Sequence, residues 1–144
     1  MYKHSSLSIV LACTAFACVG CNNQHPNIVP VSGIVTIDGE PLSVGQVRVL
    51  AAEHRPAIGK INEDGTFTLS CFELGDGAPV GTHLATVTAA EQLSETSSRW
   101  YAPKKYSSNA TSELWVTIEG PTDDLTIELT WDGSGQSGPF VDKY

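Results

Sequence analysis

The chain has 144 residues, 41% of them hydrophobic, which suits one small domain around a single core rather than two. Eight basic residues stand against sixteen acidic ones, a formal net charge of −8, so no cationic surface is available for a polyanion and the composition argues against nucleic acid as a partner. Acidity of this degree reads first as solubility and as weak repulsion from anionic lipid headgroups.

The chain opens with a short polar start, Lys3 and His4, followed by the uncharged run "SSLSIVLACTAFACVG" and then, after Cys21, the polar "NNQHPN". A charged beginning, an apolar middle and small residues before a cut form the layout of a secretory signal, and the run is short for a spanning helix, which needs about 20 predominantly apolar residues. Three of the four cysteines fall within "LACTAFACVGCNN". "VGC", residues 19–21, resembles a bacterial lipobox, which implies that Cys21 carries the lipid and becomes the new N-terminus; Cys18 stands where a lipobox usually has leucine. Cys13 and Cys18 lie inside the apolar run as small hydrophobes and would leave with the signal. One lipid chain anchors only marginally, so stable attachment calls for the several acyl chains, palmitate among them, that bacterial lipoproteins carry. Residues 1–20 are thus expected to be a lipoprotein signal peptide and residues 21–28 a tether. Asn22 is compatible with sorting to the outer membrane. The competing account is a secreted protein in which Cys21 stays a thiol and is free to pair with Cys71 in an oxidising compartment.

From residue 29 the pattern turns to period two. "VSGIVTID" sets Val31, Gly33, Val35 and Ile37 on one face, and "QVRVL" sets Val47 and Val49 inward. "TFTLSC" places Phe67, Leu69 and Cys71 together, "HLATVTA" aligns His83 with Ala85 and Val87, "ELWVTIE" turns Leu114, Val116 and Ile118 inward with Trp115 outward, and "LTIELTW" aligns Leu125, Ile127, Leu129 and Trp131. No segment carries a helical stripe. Asp38-Gly39, Asp64-Gly65 and Gly75 to Gly81 supply turn chemistry, because glycine tolerates the positive φ of tight turns. About seven short strands at this spacing predict an all-β fold, an antiparallel β-sandwich over residues 29–131.

Several motifs invite chemistry and read more simply as structure. "KINEDG" places Lys60 where a calcium loop needs its first acidic ligand, so it reads as a hairpin turn. "DGSGQSG" has neither the lysine nor the helix of a phosphate cradle, and residues 132–144 read as a flexible tail. Cys71 with His83 suggests a nucleophile and a base, but strand parity sends Cys71 into the core, where cysteine is inert. His83 reads as a hydrogen-bonded, partly buried ring. No H-E-x-x-H, paired C-x-x-C or histidine-carboxylate cluster with metal spacing occurs, so neither a metal site nor a cofactor site is assigned and the chain reads as a non-enzyme.

Residues 91–112, "EQLSETSSRWYAPKKYSSNATS", are long for a sandwich connection and read as a loop. Trp100, Tyr101 and Tyr106 beside Arg99, Lys104 and Lys105, with the outward Trp115, combine rigid aromatic surface with positive charge and form the candidate binding surface. The plainer reading is a loop that folds back to seal the sandwich, Trp100 and Trp115 forming its plug and Pro103 and Tyr106 holding it in place.

"VSGIVTIDGEPLSVGQVRVL", "NEDGTFTL" and "GAPVGTHLATVT" resemble the carboxypeptidase regulatory-like domain, a transthyretin-like sandwich of bacterial envelope lipoproteins. "YAPKKYSSNATSELWVTIEGPTDDLTIEL" resembles the second half of a small-lipoprotein version, in which a Pro-x-x-Tyr segment, here Pro103 to Tyr106, precedes two closing strands. His83 departs from the aromatic residue usual at its place. The resemblance covers about residues 29–131 and implies a seven-stranded sandwich serving as a non-catalytic accessory module, with no catalytic residues to carry over. The expected function is a membrane-anchored binding or structural module of the bacterial cell envelope, held by its N-terminal lipid in the outer membrane or facing the periplasm, with an envelope protein or cell-wall polymer as partner. The alternative is a carbohydrate-binding module that stacks Trp100, Tyr101 or Trp115 on sugar rings.

Overall fold

A computed structural model describes residues 27–144; residues 1–26, with the expected signal peptide, Cys21 and most of the tether, lie outside the described residues. The first strands are β1 (Ile28–Val29), β2 (Val31–Ile37), β3 (Glu40–Pro41), β4 (Gln46–Leu50), β5 (Ala57–Lys60), β6 (Thr66–Thr68) and β7 (Ala78–Pro79). They are followed by β8 (Gly81–Thr88), β9 (Ala90–Ser94), β10 (Ser97–Trp100), a 3₁₀ turn (Lys104–Ser107), β11 (Leu114–Ile118), β12 (Thr122–Leu129) and β13 (Phe140–Lys143). The chain is all-β, with no α-helix among the described residues.

The turns form where the glycines allow. Asp38 and Gly39 both have positive φ, 47° and 85°, so a two-residue turn of the primed kind folds β2 onto β3 with Ile37 opposite Glu40. At residues 62–65 the Asp64 carboxylate accepts the Thr66 backbone N–H (3.1 Å) and hydroxyl (2.6 Å). The Thr66 hydroxyl first, then its N–H, lower the Asp64 pKa by stabilising the charged form.

Two four-stranded sheets face each other. One runs β11-β8-β4-β5, with Val47 opposite both Val87 and Gly59. The other runs β12-β2-β3, with β6 also paired to β2. Val35, Phe67, Leu69 and Ile127 from the second pack with Val47, Val49, Val87 and Ile118 from the first in one core. Phe67 is 1% exposed, and burying such a side chain contributes about 1.5–3 kcal/mol. The inward parity of "QVRVL", "TFTLSC" and "WVTI" is the parity observed, Trp115 facing out.

The sandwich departs from the antiparallel expectation in one pairing. β12 lies parallel to β2, Leu125 opposite Gly33 and Leu129 opposite Ile37. Period-two alternation carries no information on strand direction, and a parallel neighbour needs a long crossover, supplied here by most of the domain. Gly33 makes the approach possible: a Cβ on it would lie 1.8 Å from the Leu125 carbonyl oxygen.

Two further expectations are corrected. Residues 91–112 are a loop only in their second half: β9 and β10 form a hairpin over residues 90–100, Trp100 opposite Ala90, and residues 101–112 are the connection that carries the 3₁₀ turn. Residues 132–144 are not a flexible tail: β13 completes a third sheet, β13-β10-β9, with Trp100 opposite Phe140 and Ser97 opposite Lys143. The first segment is serine-rich and the second glycine-rich, so their strands arise from pairing with distant chain rather than from local alternation. Ile28, the last residue of the segment expected as a tether, already belongs to a strand, since Ile28–Val29 pairs with β7.

Candidate binding surfaces

β8 fixes the orientation of the domain. It runs about 23 Å from Gly81, beside Ile118 and the start of the described chain, to Thr88, from which the hairpin β9–β10 continues. Asn27 accepts the Val80 backbone N–H (2.9 Å), so the N-terminal segment leaves at the Gly81 end, and the three-stranded sheet lies at the other end.

At that far end the predicted surface residues are mostly structural. Tyr106 is 5% exposed, and its hydroxyl both donates to the Thr130 carbonyl oxygen (3.3 Å) and accepts the Thr130 N–H (3.2 Å). Ala102 and Pro103 are buried beside it, and the 3₁₀ turn lies against β8. The plug closing this end is therefore Tyr106 with Ala102 and Pro103, not Trp100 with Trp115. Lys105 lies over the Tyr106 ring, 4.8 Å from its centroid. Lys104 lies over Trp100 (5.2 Å), pairs with the Asp142 carboxylate, and donates its backbone N–H to Gln136 (3.2 Å). Trp131 meets Phe140 edge to face at 6.2 Å. The Lys104–Asp142 pair and the Trp131–Phe140 contact fasten β13 to the 3₁₀ turn and to Trp131.

Tyr101 is half-buried and gives its hydroxyl to Glu91 (2.8 Å). Arg99 is exposed on the same face of the small sheet as Glu91, in one row with Glu91 and Val141. That face, with Leu93 and Val141 44% and 46% exposed, is open to solvent. The edge strand β9 has exposed side chains along Glu91–Ser94 and, among the described residues, no strand on its outer side.

Trp115 belongs elsewhere. It is 67% exposed on the outer face of the β11-β8-β4-β5 sheet, opposite Leu84, which in turn is opposite Leu50. Leu84 and Ala90, the partner of Trp100, are six positions apart along extended chain, so the two tryptophans are on the order of 20 Å apart. The seven predicted residues thus do not form one patch. With Leu50, Leu84 and the turn Ala52–His54, Trp115 lines a groove of about 760 Å³ that also reaches Asn27, Val80 and His83. Sequence reading found Trp115 but missed the groove, whose row Leu50–Leu84–Trp115 exists only through register.

Cys71 and His83 are each engaged apart from the other. The Cys71 thiol donates to the Arg55 carbonyl oxygen (3.3 Å), and His83 Nε2 contacts the Pro79 carbonyl oxygen (2.9 Å). Burial pushes the Cys71 thiol up, the Asp76 carboxylate adds to the rise and Arg55 opposes it, the reverse of what activates a nucleophile. Asp76 instead organises the turn after β6, accepting backbone N–H groups of Cys71 (2.6 Å), Phe72 (2.9 Å) and Glu73 (3.0 Å). Burial acts to raise its pKa, but the N–H donors of Cys71, Glu73, Phe72 and Gly77 outweigh that and hold the carboxyl below the ordinary value. Among the described residues no group of three or more His, Cys, Asp or Glu side chains is placed to hold a metal ion, and no helix is long and apolar enough to cross a membrane.

No protein-family model, no curated protein and no solved structure matches the chain.

Proposed function

We propose that the protein is a non-catalytic lipoprotein of the bacterial cell envelope, anchored through Cys21, whose far end binds an envelope protein or cell-wall polymer. The observation that carries this reading is the three-stranded sheet at the end opposite Asn27, held outside the core cluster with Arg99, Leu93 and Val141 open and β9 as a free edge. An exposed edge offers unpaired N–H and C=O groups to an added strand, and its alternate side chains give selectivity. The two facing sheets and the glycine turns at residues 38–39 and 64–65 support a transthyretin-like, carboxypeptidase regulatory-like ancestry for the sandwich. Engagement of Cys71 and His83 with separate carbonyls supports the non-catalytic reading. Sugar stacking has less support, because Lys104 covers Trp100 and Glu91 holds Tyr101, leaving Trp115 as the open ring of the three.

Intact mass of the protein from the membrane fraction of its host, beside Cys21→Ser, tests the anchor. The expected species starts at Cys21 with acyl mass that the variant lacks, and an unacylated chain starting elsewhere defeats it. A photo-crosslinking residue at Arg99, compared with one at Thr117 near the other end, tests the binding end. A discrete adduct is expected from position 99 alone, and equal or absent adducts at both positions reject the far end as the binding surface.

A further inference from the structure

Large apolar side chains are open at the end where the chain leaves toward Cys21. Leu74 is 100% exposed, Val80 41% and Trp115 67%, and Asn27, Val80 and Trp115 line the same groove. Leu74 belongs to this end because its turn, ordered by Asp76, leads into β7, the partner of β1. Asn27 is six positions after Cys21, a reach of at most about 20 Å even when fully extended. A lipid at Cys21 therefore holds this end within that distance of a bilayer.

We propose that the Trp115 groove face seats on the lipid surface, with Trp115 and Val80 at the level of the headgroups. This rests on the lipoprotein reading above. The occupant is lipid because the tether delivers this face to it, and because tryptophan, apolar in body with one N–H donor, favours the membrane–water boundary. The seat is apolar rather than electrostatic: Glu53 and His54 line the groove and no lysine or arginine does, while Arg99, Lys104, Lys105 and Lys143 lie at the far end.

The test uses the protein purified from membranes and reconstituted in phosphatidylethanolamine–phosphatidylglycerol vesicles whose acyl chains carry bromine, a short-range quencher of indole. Of the three tryptophans only Trp115 is on the seated face, so emission is expected to fall by up to about a third, unchanged by raised salt. The same lipids are expected to leave Trp115→Phe unquenched, since Trp100 and Trp131 are at the far end. Acylated protein whose emission is unaffected overturns the seating alone. Absence of acyl mass overturns the anchor and the seating with it. Quenching of Trp115 by a soluble cell-wall polysaccharide, without quenching by brominated lipid, overturns the seating in favour of a glycan.

Discussion

At the Asn27 end, Leu74, Val80 and Trp115 are open to solvent and the order comes from backbone: Asp76 collects N–H groups and Gly77 packs against β1. At the opposite end the large side chains are spent on closure, Tyr106 sealing the sandwich and Trp100, Lys104, Phe140 and Asp142 binding the last strand to the hairpin. The same residue type therefore has opposite meaning at the two ends. An aromatic held by hydrogen bonds and neighbours is structure, and one left two-thirds exposed on a flat sheet is surface for use.

Tyr106→Ala should break the far end most severely, costing about 3–5 kcal/mol for the lost ring, while Tyr106→Phe should cost about 1 kcal/mol for the hydroxyl shared with Thr130. Urea unfolding measures both, and a Tyr106→Ala cost below 1 kcal/mol would show that the end is not sealed by this residue. Asp76→Ala should loosen the Asn27 end by about 1–3 kcal/mol at neutral pH by orphaning three N–H donors.

Acid sharpens that second case. The Asp76 pKa is lower in the fold than in the unfolded chain, so its stabilisation is complete above the ordinary carboxylate value, about 3.9, and is lost as pH falls through the lower folded value. The gap between wild type and Asp76→Ala should therefore narrow below about pH 4, and a gap that widens in acid would refute the assignment. Lys104→Met is expected to cost about 0.5–1 kcal/mol, the pair with Asp142 being partly exposed, and to speed hydrogen exchange at β13 while leaving β4 unchanged. Smallest of all, Trp115→Ala should stay within about 0.5 kcal/mol of wild type, because its ring is 67% exposed. A larger loss would mean that the ring packs rather than waits.

What the sequence determined by itself is local. Asp38-Gly39 and Asp64-Gly65 announce their turns because positive φ is a one-residue property, and the parity of Val47, Val49, Phe67, Leu69, Val116 and Ile118 is visible because alternation is a property of one strand. The outward Trp115 follows from the same parity. Tertiary structure decided everything that depends on two distant segments meeting. The parallel pairing of β2 with β12 needs the whole domain as crossover, and "SSRW" becomes a strand because "AEQLS" and "FVDK" lie on either side of it. Tyr106 is a core residue rather than a surface one because Thr130 supplies both hydrogen bonds, and Leu50, Leu84 and Trp115 become one row through the register of three strands. Alternation states which face a residue takes within its strand, but a neighbour across a sheet is chosen by the packing of the whole chain.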